Sequence, residues 1–232
     1  MQKAGGFSAL YLAAAYLAAM PYFLIVVDLG SITDPFQKAA ALLAHRNGLY
    51  LMELVVYVLF GLALIVLSVA LKERLSPGAE GLMKVATPIG LIWAGLLIAS
   101  GMIHNVGMDP VIALHATDPS GAASLWAAVD LVSSGLSGNG EILGGSWLLL
   151  VSLAALRTRG LPKALNLLGL AVAAIGIVSV VPPIKDLAMI FGLGQIIWAL
   201  WLGIALLGRP RAKAAATSTA APGPGAMKGG GA

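Results

Sequence analysis

Apolar residues run nearly unbroken for about 20 positions at a time, over roughly 8–30, 49–71, 84–104, 139–157, 162–181 and 187–207. A helix rises about 1.5 Å per residue, so each run matches the ~30 Å hydrocarbon core of a bilayer. A backbone exposed to lipid must satisfy its own hydrogen bonds, which leaves helices or closed barrels. The continuous runs lack the alternation that barrel strands need. The pattern therefore predicts an all-α polytopic transmembrane helix bundle of six spans, forming one domain over residues 1–211.

One stretch does not fit that count. Residues 121–137 are apolar enough for a helix but carry Asp130, and they run into Ser137-Gly138-Asn139-Gly140, where the glycines supply a joint. We read this stretch as an extra outer or re-entrant helix; the alternative is a seventh crossing. Small residues are dense within the spans, with Ala13, Ala14, Ala15 and Ala18 in the first, Gly90, Gly95 and Gly101 in the third, and Gly140 and Gly144 in the fourth. In lipid such positions let helix backbones approach closely. Trp147, Trp198 and Trp201 are read as packing or interfacial residues. Pro182-Pro183 ends the fifth span by removing amide donors.

Composition agrees with lipid as the solvent. Of the 232 residues 59% are hydrophobic and only 10% charged, against roughly 25% charged in soluble domains. The absence of cysteine excludes disulfides, thiolate metal sites and cysteine nucleophiles. The first span follows Lys3 as a signal peptide would, but it is too long and Ala18-Ala19-Met20 is a poor cleavage site, so a retained helix is expected. Residues 212–232, rich in Ala, Pro and Gly, read as a disordered cytoplasmic tail.

Charge placement sets the expected orientation. Lys72, Arg74 and Lys84 lie between spans two and three, Arg157, Arg159 and Lys163 between four and five, and Arg209, Arg211 and Lys213 after six. By the positive-inside rule these belong in the cytoplasm, with both termini there and Asp109, Asp118 and the Lys185-Asp186 loop outside. Lys38 and Arg46 in the first outer loop run against this arrangement. The formal charge of +4 is explained by topology, and no nucleic-acid partner is implied. The expected location is the cell membrane, as a multipass protein.

Under that topology the unusual polar residues fall toward the outer half. Asp28 closes the first span, Glu53 enters the second by about one turn, His104 and Asn105 close the third, and Asn139 and Glu141 open the fourth. An ionisable group in a span costs about 2.5–3.5 kcal/mol on insertion scales and faces an interior or wet cavity. Glu53, His104 and Glu141 are expected to converge in one outer-half cavity, with Asp28, Asp130 and Asn139 as further ligand-binding or proton-handling candidates. Tyr50 and Tyr57 stand at i−3 and i+4 from Glu53. Asp130 could pair with Lys185 or serve as a solvent-facing cap. His45, His104 and His115 form a candidate metal set, because three histidines and a carboxylate can hold zinc, though at no recognised motif spacing. Haem ligation by His45 and His104 is a further arrangement to test.

Three segments carry a family resemblance. Arg157-Thr158-Arg159-Gly160-Leu161-Pro162-Lys163-Ala164-Leu165-Asn166-Leu167-Leu168-Gly169 resembles a basic-Ser-Gly-aromatic-Leu-Pro-Arg-x-Leu-Gly turn between two helices, and Gly194-Gln195-Ile196-Ile197-Trp198-Ala199-Leu200-Trp201-Leu202 resembles a closing Gly-Glu-to-Trp-Leu-Leu helix. Arg46-Asn47-Gly48 leading to Glu53 is a third match. On these, residues from about Asp34 to Gly208 resemble the bacterial multipass membrane family DUF4386. The resemblance implies topology and no agreed activity, and Gln195 stands where the family's acid is expected.

The functional expectation is a small membrane module that binds a lipid, a hydrophobic small molecule or a partner protein through the outer-half cavity. The alternatives are an ion-coupled transporter or a membrane enzyme with a His/Glu metal or haem site. No cofactor is favoured, and nothing in the residues decides for or against enzymatic activity.

Overall fold

The computed structural model describes residues 1–27, 31–137 and 141–208, so Asp28, Asn139, Arg209, Arg211 and the tail lie outside the described residues. Seven α-helices and no strand are found among those described: α1 (Gln2–Pro21), α2 (Pro35–Glu53), α3 (Phe60–His115), α4 (Pro119–Ser137), α5 (Ile142–Thr158), α6 (Lys163–Val178) and α7 (Leu187–Leu207). Four helical stretches, Gln2–Val26, Phe36–His115, Pro119–Thr158 and Leu187–Leu207, are long and apolar enough to cross a membrane, and Lys163–Val178 is a shorter apolar helix. Large apolar side chains such as Phe7, Leu62, Ile92, Ile197 and Ile204 stand outward on the rods. An apolar exterior on this scale suits lipid rather than water.

α3 is two helices joined at a sharp turn. Pro77, Gly78 and Ala79 leave helical geometry, and Gly78 has φ 103°, a left-handed conformation that glycine adopts without a Cβ clash. The arms, residues 60–76 and 80–115, fold back on each other. A Cβ on Gly61 would stand 2.7 Å from the Ala94 carbonyl oxygen, and one on Gly101 would stand 3.1 Å from the Glu53 carbonyl oxygen. Both contacts require the missing side chain. Further along, Arg46 meets Asp109 at 2.7 Å.

The rod that ends in the first arm, and the second arm by itself, are both longer than a bilayer core is thick. α2, the π-helical segment Leu54–Leu59 and the first arm make one rod, about 60 Å long at 1.5 Å per residue. The second arm is about 54 Å long by the same rise. Their far ends receive α4 and close over a small core of their own, Val27, Leu42, Leu49, Met108, Val111, Ala122 and Trp126. The segments read as outer loops, around residues 35–48 and 105–115, are thus helical overhangs, because each finds an apolar partner in the other and in α4. The extra helix expected at 121–137 is present as α4, and it packs antiparallel to the second arm. Ser100 and Ser133 pair there through buried hydroxyls at 2.7 Å.

The main core lies between α1, the arms of α3, α5, α6 and α7. A row of aromatic rings runs through it: Tyr16 to Phe60 at 5.1 Å, Phe60 to Trp93 at 6.5 Å, Trp93 to Trp147 at 6.0 Å and Trp147 to Trp198 at 5.8 Å between centroids. Trp147 and Trp198 are therefore core residues, whereas Trp201 stands partly exposed. Of the small residues expected at close approaches, Ala13 and Ala15 are buried but Ala14 and Ala18 are exposed, and Gly140 lies outside the described residues. Gly90 faces the Trp147 ring and Gly144 faces Trp93 and Phe191, but nothing lies within 4 Å of a Cβ placed on Gly95.

Candidate functional site

The rod that carries Glu53 changes its winding at that residue. α2 ends there and the π-helical segment Leu54–Leu59 begins, and such segments are common at functional sites because they leave backbone groups unspent. Within this segment the Val55 carbonyl accepts from the Tyr11 hydroxyl of α1 at 2.8 Å. Gly101 lets this turn lie against the second arm, which brings His104 alongside: His104 Nδ1 is 3.0 Å from Glu53 Oε1. The other ring nitrogen, Nε2, is 3.4 Å from Asp130 Oδ1. Trp126, four residues before Asp130 on the same face of α4, stacks on the imidazole at 5.3 Å between centroids and 27° between planes.

The result is a carboxyl–imidazole–carboxyl cluster graded in exposure, hydrogen-bonded at Glu53, whereas Nε2 approaches Asp130 at ion-pair distance without a hydrogen-bond partner. Glu53 is 4% exposed, and its second oxygen has no hydrogen-bond partner. The His104 side chain is 12% exposed and that of Asp130 45%. Asn105 braces the same junction through a 3.4 Å bond from its amide to the Tyr50 carbonyl.

Glu141 stands in a neighbouring space. A cavity of about 160 Å³ is lined by Tyr16, Tyr57, Phe60, Trp93, Ser137 and Glu141 among others. Glu141 precedes α5, and its amide donates to the Ser179 hydroxyl at 3.1 Å, tying the start of α5 to the end of α6. Its carboxyl group forms no ion pair with a described cation.

Set against the sequence, Glu53 and His104 converge as expected. Glu141 does not share their space: Tyr57, one turn beyond Glu53, lines the Glu141 cavity, while Glu53 itself points to His104. The single expected cavity is thus a cluster and an adjoining pocket. Asp130 contacts His104 and not Lys185, because α4 folds back along the second arm. Tyr50 is exposed rather than facing the site. The candidate metal set is not assembled. Along their helices His45 lies about 12 Å from the level of Glu53, and His115 about 16 Å beyond His104. Among the described residues no group of three His, Cys, Asp or Glu could hold a metal ion. This also separates His45 from His104 as axial ligands of one haem.

Sequence reading missed Tyr16, Phe60, Trp93 and Trp126. The spacing of Trp126 and Asp130, four apart on one helix, was the available signal for the last; the others needed the packing of α1 against the arms.

Fold and site together define a helical bundle with membrane-length apolar helices, in which a capped hairpin of long arms holds a histidine between two carboxyl groups. The chain belongs to the DUF4386 family, a domain of unknown function, whose sequence profile matches residues 7–205. That match takes in α1 as well as the stretch that carried the resemblance. No curated protein and no solved structure matches the chain.

Proposed function

We propose that this is a six-crossing membrane protein, with both termini cytoplasmic, that binds a small organic cation in the aromatic cavity beside Glu141. The crossings are α1, the bilayer portions of the two arms, α5, α6 and α7, all within one membrane domain, with α4 and the overhangs outside. Several features support this orientation. Arg74, Arg159 and Lys163 border one end of the bundle, whereas Asp109, Asp118 and Asp130 belong to the other. Arg46, which counts against the charge rule, is paired with Asp109 and so carries less weight. α6 has only 16 residues, short of the usual ~20, and flanking Lys163 can reach the interface.

The observation that carries the ligand reading is four aromatic side chains around one carboxyl group that has no cation beside it. A carboxylate inside a bundle normally faces a wet cavity or a partner, and ring faces attract ammonium groups by about 0.5–2 kcal/mol each. The cavity has room for about five waters at ~30 Å³ each, which suits a cation of few heavy atoms and not a lipid tail. A second reading, proton-coupled passage of that cation, is favoured by the line of titratable groups from half-exposed Asp130 through His104 to buried Glu53, hydrogen-bonded at the Glu53 end, which stops one turn from Tyr57 of the cavity.

Tetramethylammonium titrated into the protein in neutral-lipid nanodiscs should produce a saturable change in tryptophan fluorescence, since Trp93 lines the cavity. Neutral tert-butanol at equal concentration should not. No saturable response to tetramethylammonium or methylammonium would refute the ligand reading.

Topology is tested separately in the naturally cysteine-free chain. With an impermeant thiol reagent on intact cells, Asp118→Cys should be labelled and Arg159→Cys should not. Labelling at position 159 from outside contradicts the six-crossing arrangement.

A further inference from the structure

The opposite end of the bundle holds a larger cavity, of about 980 Å³, bordered by α3, the α5–α6 turn and α7. Its charged lining is entirely cationic, from Arg74, Arg159 and Lys163, with the buried Asn166 beside them. None of the three cations is paired with a described carboxylate. Glu73 is held instead by the N-terminal amine at 3.8 Å and Glu80 by Lys84 at 3.0 Å.

These cations are positioned by the local fold. Arg74 is partly buried, and its Nε and Nη2 both donate to the Gly160 carbonyl, at 3.1 and 2.9 Å, fixing the turn against α3. A guanidinium carries five N–H donors, so the remaining ones stay free. Burial without a counter-charge pulls the Arg74 pKa down, so an anion beside it would be stabilising. Arg159 caps α5 in the left-handed region, at φ 51°, a conformation that glycine adopts more readily. α6 begins after Pro162 with no side-chain cap, and its first intrahelical bond is from the Asn166 amide to the Pro162 carbonyl, at 3.2 Å. The amides of residues 163–165 are therefore unspent at the same wall.

We propose that this cavity binds a phosphate-bearing anion, held by Arg74, Arg159 and Lys163 at the start of α6. Fork-shaped guanidinium donors suit phosphate oxygens, and the positive end of α6 adds to their field. The anion has two sources, the headgroup of an anionic phospholipid or a soluble phosphate. In the proposed orientation the cavity opens at the cytoplasmic leaflet, where anionic lipids attract basic pockets. The site is independent of the cation cavity at the other end, so either can fail alone.

The test measures retention of phosphatidylglycerol against phosphatidylcholine by native mass spectrometry of the purified full chain, and binding of inorganic phosphate by calorimetry. Preferential retention of phosphatidylglycerol with weak phosphate binding identifies a lipid site; strong binding of phosphate itself identifies a soluble anion. The double variant Arg159→Gly/Lys163→Gln should weaken the bound species about tenfold or more, while Arg159→Lys retains it. Arg159→Gly keeps the left-handed turn, which protects folding. If the double variant nevertheless unfolds, the wild-type lipid preference and its loss in high salt decide the matter. Equal retention of the two lipids with no phosphate binding, or unchanged binding by the folded double variant, overturns the proposal.

Discussion

Replacing His104 by alanine is expected to lower the unfolding free energy by about 3 kcal/mol, because removing one partner of a buried polar pair leaves the other uncompensated. Glu53 is that other group: 4% exposed, with one oxygen on His104 and the second already without a partner. Asp130→Ala should cost far less, since its side chain is 45% exposed and water replaces the imidazole. The double variant Glu53→Gln/His104→Ala should be less destabilised than the sum of the single changes, as coupled contacts require. Unfolding in a mild detergent compares the wild type with these three variants and with Glu53→Gln alone. Near-equal losses for His104→Ala and Asp130→Ala would mean that the buried half of the cluster contributes no more than the exposed half.

Gly145→Leu should be comparably damaging for a different reason. A Cβ at that position would stand 2.8 Å from the Ile177 amide nitrogen and 2.9 Å from the Ala173 carbonyl oxygen. Both are backbone atoms of α6, so no rotamer change relieves the overlap and the two helices must separate. Overpacking of this kind costs about 1–3 kcal/mol or more. Gly95→Leu is the matched control: its Cβ meets nothing within 4 Å, and the effect should stay within about 0.5 kcal/mol. A clear fall in the thermal midpoint for Gly145→Leu beside an unchanged Gly95→Leu is the expected result.

The contrast between these glycines shows what the sequence could and could not convey. Spacing and composition marked Gly95 as a small residue in an apolar helix and did not single out Gly145; which glycines face a neighbouring backbone depends on azimuth, and at Gly145 that is set only when α5 meets α6. Depth was more legible. Glu53 near the start of one run and His104 at the end of the next were expected at one height, and they meet. Glu141 was expected at that height too, yet Tyr57 faces it instead of Glu53, a matter of rotation about the rod. The π-helical segment after Glu53 has no counterpart in the pattern of polar and apolar positions. Asp130 was harder still. Its partner became visible only once α4 was seen to return along an arm far longer than a bilayer requires, and the overhangs of α2 and α3 look in sequence like mixed loops because each buries only one side.

The central claim is that Glu141 supplies the charge for an aromatic cation site. The most direct measurement compares the tetramethylammonium affinity of wild-type protein and Glu141→Gln at mildly alkaline pH, in the same nanodiscs and with unfolding midpoints recorded for both. The account predicts at least about a tenfold weaker affinity, equivalent to roughly 1.4 kcal/mol, with little change in midpoint, because the amide keeps the shape of the carboxyl group and removes its charge. Equal affinity in the two folded proteins would contradict it.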